Sequence, residues 1–205
     1  MKYFQEITLI DQAEISPYFI WSKLFTQLHI ALAGNKNIDN KVNIGVAFPK
    51  YVFEEKIGSQ KAKAHLGDKL RVFAQSEADL ERLDIKKWLD RLTDYLHITS
   101  IREVPETKVR GYAIYSRKQV KTNAERLARH EANKGRYSYE NALAHYQKFI
   151  TTTDLPYIQM LSLSTSNEQD KKRFKLFIEK RPAEKSETQV FSTYGLSSVS
   201  SVPEF

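Results

Sequence analysis

Two stretches with an apolar residue at every third or fourth position, each bracketed by runs that alternate apolar and polar, dominate the first hundred residues. One kind of element cannot satisfy both periods, so these segments must fold as helices and strands in a set order. Tyr3 to Ile10 is a short β-rich run. Ser16-Pro17 then supplies an N-cap and a proline at the first helical position. The predicted helix, about Pro17 to Ala33, lines up Ile20, Leu24, Leu28 and Leu32 before Gly34-Asn35 ends it. Val42 to Phe48 alternates, with Ile44, Val46 and Phe48 on one face, and Lys69 to Ala74 alternates through Leu70, Val72 and Ala74. A second helix is expected near Asp79 to Tyr95, with Leu80, Leu83, Trp88 and Leu92 on one side, then a strand from His97 to Val104.

The order β-α-β-β-α-β is that of a ferredoxin-like sheet. The expected class is therefore α+β: a ferredoxin-like domain over residues 1–104, and beyond Pro105 a smaller α+β domain over 105–205. In that second half Val109 to Val120 reads as extended. Thr122 and Glu125 form a capping box that starts a helix running to about Lys134. A further helix over Tyr139 to Ile150 and strands near Tyr157–Ser164, Arg173–Glu179 and Gln189–Thr193 complete the expectation. The aromatic, glycine-containing signature of RNA-recognition modules is missing from the central strands, so the sheet face is a poor base-binding surface.

Charge separates the two halves. The chain carries a net +7, and residues 108–136 alone hold nine basic residues against two acidic ones. Positive charge gathered in one segment suits a polyphosphate partner, because each neutralised phosphate releases counterions. The lesser alternative is a solvated basic face. On the helix from Thr122, Arg126, Arg129, His130 and Arg136 fall within an arc of about 120°, while Ala124, Ala128 and Ala132 lie towards the other side. Just upstream, Arg117, Gln119 and Lys121 alternate and share a face. Arginine and glutamine can pair with guanine and adenine edges; an edge strand with solubilising charges would show the same spacing.

Several chemistries are excluded. There are no cysteines, so thiol catalysis, disulfide scaffolds and Cys-rich zinc sites are ruled out. None of the five histidines sits in a metal-binding spacing, and the carboxylates are too scattered for a two-metal nuclease, so no metal or cofactor is expected. MKYFQEITLI interleaves polar residues and no run of about 18 apolar residues exists, so neither a signal peptide nor a membrane span is expected, and the cytoplasm is the expected compartment. If the partner is RNA and is cut, attack by the neighbouring ribose 2′-hydroxyl needs a base active near neutrality rather than a metal. His29, at the shoulder of the first helix's apolar stripe, is a candidate for that base, although taken alone it reads first as a structural histidine. Ser162 and Ser164 alternate on the face of Ile158 and Met160, where hydroxyls need partners or bond locally to backbone.

Six stretches in order then converge: LFTQLHIAL with His29, IGVAFP at Ile44–Pro49, SRKQVKTNAERL at Ser116–Leu127, DLPYIQMLSLSTS at Asp154–Ser166, RFKLFI at Arg173–Ile178, and YGLSS at Tyr194–Ser198. On these the sequence resembles the type I-F CRISPR RNA-processing endoribonucleases, the Csy-four branch of the Cas-six group. The resemblance implies cleavage at the 3′ base of a repeat hairpin, leaving a 2′,3′-cyclic phosphate and a 5′-hydroxyl. It implies His29 as general base, Ser162 holding the ribose, and Tyr194 positioning His29 or the substrate. It also implies Arg117 and Gln119 as a base-reading pair, Phe174 stacking on the stem end, and Ser164 and Thr165 near the cleaved phosphate. Lys121, Arg126, Arg129, His130, Lys134 and Arg136 would meet the RNA from the basic segment, although His130, Asn133 and Gly135 thin out the arginines expected there. The implied partners are the repeat hairpin and other subunits of a crRNA-guided surveillance complex. A non-catalytic hairpin-binding subunit of the same fold is the alternative.

Overall fold

The structure, a computed structural model, describes residues 1–55, 62–120, 124–148, 153–162 and 172–205. The elements run β1 (Tyr3–Leu9), α1 (Pro17–Gly34), β2 (Lys41–Val42), β3 (Gly45–Ala47), β4 (Val52–Glu54), β5 (Lys63–His65) and β6 (Lys69–Ala74). They continue with α2 (Glu77–Leu83), α3 (Ile85–Trp88), β7 (Leu96–Ile98), β8 (Arg102–Glu103), β9 (Gly111–Lys118), α4 (Ala124–Asn133) and α5 (Tyr139–Gln147). The last are β10 (Tyr157–Leu161), β11 (Arg173–Ala183), β12 (Phe191–Ser192) and β13 (Val202–Glu204). The class is α+β. Among the described residues no helix is long and apolar enough to cross a membrane.

The chain forms two compact units, one of residues 1–117 with 155–205 and one of residues 118–154. In the first unit, β3, β6, β1 and β7 lie side by side in that order, and β8 also pairs with β1. The pairings β3–β6, β6–β1 and β1–β7 are all antiparallel. A second sheet has the order β10-β11-β9-β13, and β12 pairs with β2. Helix α1 starts where the sequence places it. Ser16 is extended, Pro17 takes the first turn, and the Phe19 N–H bonds the Ser16 carbonyl. Its stripe Ile20, Leu24, Leu28 and Leu32 is fully buried. Trp21 and Phe25 meet Phe48, which in turn meets Tyr115 of β9. Residues on both sides of Pro105 therefore share one core, which also takes in Ile158, Met160, Leu176, Ile178 and Val202. That is why the compact units divide at 117/118 and 154/155 and not at 104/105.

Other differences from the sequence reading have local causes. The single helix expected over Asp79–Tyr95 is two short helices and a 3₁₀ turn, broken at Asp84, whose φ of 44° is left-handed. Past that break the register shifts, so Leu89 is buried and Trp88 is 38% exposed. Residues 44–48 are buried on both faces, not alternately. Gly45 is the reason the strand can sit so deep: a β-carbon there would come within 2.6 Å of the Phe191 ring and 2.8 Å of Val202. The sequence pattern does not mark the antiparallel pair β4–β5 or the strand β13.

The second unit consists of α4 and α5, packed on each other. Among the described residues, Ala124 and Ala128 of α4 and Ala142 of α5 are buried. Ser138 caps α5, accepting from the Asn141 N–H. Helix α4 ends at Asn133, and Gly135 takes a φ of 68° just beyond it. Arg136 therefore lies past the helix end, off the cationic arc expected for it. The capping residue Thr122 lies outside the described residues.

Candidate active site

Four segments distant in the sequence bring four of the expected residues together in the first unit. The His29 ring, half-buried on α1, stacks on Tyr194 with centroids 4.1 Å apart and planes 10° from parallel. Its Nδ1 lies 2.9 Å from the Thr193 carbonyl oxygen. A carbonyl can only accept, so Nδ1 carries the proton and donates, which leaves Nε2 of the neutral ring with its lone pair free. The stack fixes the plane of the ring and the carbonyl fixes its tautomer.

Thr193 and Tyr194 are held by a tight turn after β12. The Gly195 N–H bonds the Ser192 carbonyl, and the Ser192 N–H bonds the Leu196 carbonyl. The Val46 N–H of β3 bonds the Gly195 carbonyl at 3.0 Å, which ties the turn to the first sheet. Gly195 has a φ of 70°, and a β-carbon there would lie 2.5 Å from Val46 Cγ1. Only glycine lets the turn seat this closely. Thr193 escapes sequence reasoning because it acts through a backbone oxygen; the Tyr-Gly pair at 194–195 is the one signal that a turn is there.

Arg117, exposed at the end of β9, sets its guanidinium 5.2 Å from the Phe174 ring centroid and 5.7 Å from that of Tyr194. Both distances are within reach of a cation–π contact. Burial pushes the Tyr194 hydroxyl above the usual phenol range, against an opposing pull from Arg117. Phe174 opens β11 opposite Met160 of β10. Two residues beyond Met160, the Ser162 N–H bonds the Lys172 carbonyl and extends that pairing. By the period of two, Ser162 continues the face of the buried Ile158 and Met160. Helix α1 packs on β10, with the Ser22 hydroxyl donating to the Gln159 carbonyl.

The remaining expected residues are placed less fully. Gln119 follows β9, exposed, within the second unit. Arg129 and His130 are exposed on α4, and Lys134 and Arg136 are exposed just after it. Glu125 pairs with Arg129 at 3.6 Å and Glu131 with Arg136 at 3.7 Å. Lys121, Ser164, Thr165 and the side chain of Arg126 lie outside the described residues. Among the described residues no three His, Cys, Asp or Glu side chains are grouped so as to hold a metal ion.

A half-buried imidazole with a set tautomer, stacked on a ring that a guanidinium also reaches, can do acid–base chemistry on an anionic substrate. Comparison with known proteins places the chain more closely. The family model described as CRISPR-associated protein (Cas_Csy4) matches residues 4–205, and the chain belongs to that family. It is 32% identical over 207 residues, covering all of both chains, to the CRISPR-associated endonuclease Cas6/Csy4 of Escherichia coli (strain UTI89 / UPEC). A solved structure titled CRISPR associated protein Cas6 aligns with 100% of this chain and 99% of its own, at 13% identity and a TM-score of 0.30. So low a score carries no weight for the fold.

Proposed function

We propose that this protein is a metal-independent endoribonuclease that cuts CRISPR repeat RNA at the 3′ base of a hairpin and keeps the hairpin product. The observation that carries the reading is the His29 ring, with Nδ1 committed to the Thr193 carbonyl and Nε2 left free as a base. In the proposed reaction, Nε2 takes the proton of the ribose 2′-hydroxyl. The 2′-oxygen attacks the adjacent phosphorus as the bond to the 5′-oxygen breaks. A 2′,3′-cyclic phosphate forms, and the departing oxygen takes up a proton to give a 5′-hydroxyl. Ser162 would hold the ribose so that the 2′-hydroxyl faces the phosphorus. Tyr194 positions the imidazole. Ser164 and Thr165 would lie by the phosphate.

Recognition is assigned to the other expected residues. Arg117 and Gln119 would read base edges, and Phe174 would stack on the end of the stem. Lys121, Arg126, Arg129, His130, Lys134 and Arg136 would grip the stem backbone. The family membership and the full-length endonuclease relative support an RNA-processing role. The strand order β3-β6-β1-β7, with helices in both crossovers, supports a ferredoxin-like reading of the first sheet. Retention of the product would follow from stem contacts that cleavage leaves intact, and would suit a subunit of a crRNA-guided surveillance complex.

The test is incubation of a repeat hairpin RNA with the protein in EDTA. One cut is expected, ending in a cyclic phosphate. His29→Ala is expected to bind the RNA without cutting it, and a 2′-deoxyribose at the cleavage position should bind and stay intact. Dependence on a divalent metal, or unchanged cleavage by His29→Ala, would sink the reading. Binding without any cut by the unaltered protein would favour the non-catalytic hairpin-binding subunit.

A further inference from the structure

Arg117 touches two aromatic rings with different proposed duties. Phe174 is the platform for the stem end, and Tyr194 is the ring stacked on the imidazole. A planar guanidinium can lie against two rings at once, because its charge is delocalised and weakly hydrated. The Tyr194 ring has the imidazole on one side and Arg117 within cation–π reach. The turn fixes its backbone, but the ring itself is held by these neighbours and by half-burial. Among the described residues the Tyr194 hydroxyl has no hydrogen-bond partner to hold it instead.

We propose that Arg117 is a positioning residue for His29, acting through Tyr194, so that what happens at the Phe174 platform is felt at the imidazole. The inference rests on the ribonuclease reading and deepens it: one arginine serves both recognition and chemistry. A stem end that stacks on Phe174 and pairs with Arg117 pins the guanidinium. The pinned guanidinium holds Tyr194 against His29, so the stacked imidazole is kept most firmly in its working orientation when the correct hairpin is seated. An RNA that lacks the matching stem end leaves Arg117, and through it His29, less firmly held.

The experiment is a double-substitution cycle of Arg117→Ala and Tyr194→Leu. Single-turnover cleavage of the repeat hairpin is measured with protein in saturating excess, so that weakened binding drops out. Histidine ring NMR signals are recorded alongside for each protein without RNA. Arg117→Ala is expected to slow saturated cleavage by roughly fivefold to thirtyfold, the size of one desolvated cation–π contact. The same change in the Tyr194→Leu background is expected to cost less than about twofold, because the relay is already broken. The His29 ring signals should shift in RNA-free Arg117→Ala. Arg117→Lys keeps the charge without the flat face and should behave like the alanine variant, which separates the effect from misfolding. Equal losses in both backgrounds, or unmoved His29 signals, would show that Arg117 acts on RNA alone and overturn the proposal. Failure of the unaltered protein to cut the hairpin would instead overturn the ribonuclease reading, and the RNA-free spectra would still decide the coupling.

Discussion

At the scale of single residues, the geometry of the imidazole depends on atoms that are not themselves chemical actors. Gly195 is the clearest case. Replacing it with alanine adds a carbon 2.5 Å from Val46 Cγ1 at a φ of 70° that side chains rarely adopt. The turn must then either strain or lift off β3, and it carries the Thr193 carbonyl and the Tyr194 ring with it. Gly195→Ala is expected to lower stability by about 1–3 kcal/mol, read by urea unfolding, and to slow saturated cleavage although no substrate contact is touched. Unchanged cleavage would mean that the carbonyl does not set the tautomer. Side-chain spacing places His29 at the shoulder of an apolar stripe, and the family resemblance, not the spacing, singles it out as a base. Its partner could not be picked out, because a main-chain oxygen leaves no trace in residue type. The meeting of Arg117, Phe174 and Tyr194 was equally hidden, since it needs pairings between segments far apart in the chain.

At the scale of elements, cross-strand chemistry fixes how β1 and β6 meet. Glu6 lies directly opposite Arg71 and binds both it, at 2.8 Å, and Lys69, at 2.5 Å. Burial opposes ionisation of this carboxyl, yet hydrogen bonds from Lys69 and Arg71 hold it below the usual glutamate range. A depressed folded value means the unfolded chain takes up protons first as the solution is acidified. The stabilisation is therefore whole above the ordinary glutamate value, about 4.3, and is lost as pH falls from there through the depressed one. Glu6→Gln should flatten the fall in urea midpoint over that acid range and lower stability at pH 7 by about 2 kcal/mol. An acid limb as steep as that of the parent protein would refute this. In the second unit, the small residues that close α4 on α5 set a different test. Ala128 is fully buried, so Ala128→Leu should overpack the hairpin by about 1–3 kcal/mol, with a loss of helical signal on heating and weaker hairpin RNA binding. The α1 stripe was legible because its period is unbroken over four turns. The break at Asp84 was not, because neither glycine nor proline marks it, and so Trp88 was assigned the place that Leu89 fills.

At the scale of the whole molecule, charge and fold are distributed differently. The core belongs to one unit, assembled from both ends of the sequence, whereas much of the excess basic charge lies in and just before the other. The ion pair of Arg129 is long and exposed on both sides, and that of Arg136 is as long, with only the arginine exposed; exposed pairs are worth little. Both arginines can turn to phosphates at small cost. Affinity for the repeat hairpin should therefore fall steeply with salt. Arg129→Ala should reduce the slope of log affinity against log salt by about 0.7–1 and weaken all RNAs alike, whereas Arg117→Ala should discriminate among hairpin sequences. Equal slopes for the Arg129 variant and its parent would remove that residue from the phosphate contacts. The domain boundary was the least legible feature at this scale. Pro105 does interrupt the chain, but only long-range strand pairing decides which core the flanking segments join.

The His29 imidazole receives its tautomer from a carbonyl 164 positions later in the chain. During synthesis, the helix that bears the imidazole can form while residues 193–195 are still inside the ribosome. Until they emerge and close on β3, the carbonyl that holds the proton on Nδ1 is absent. A chain stalled short of Thr193 would therefore carry His29 without the carbonyl that sets its tautomer, and on the proposed reading it would not cut RNA.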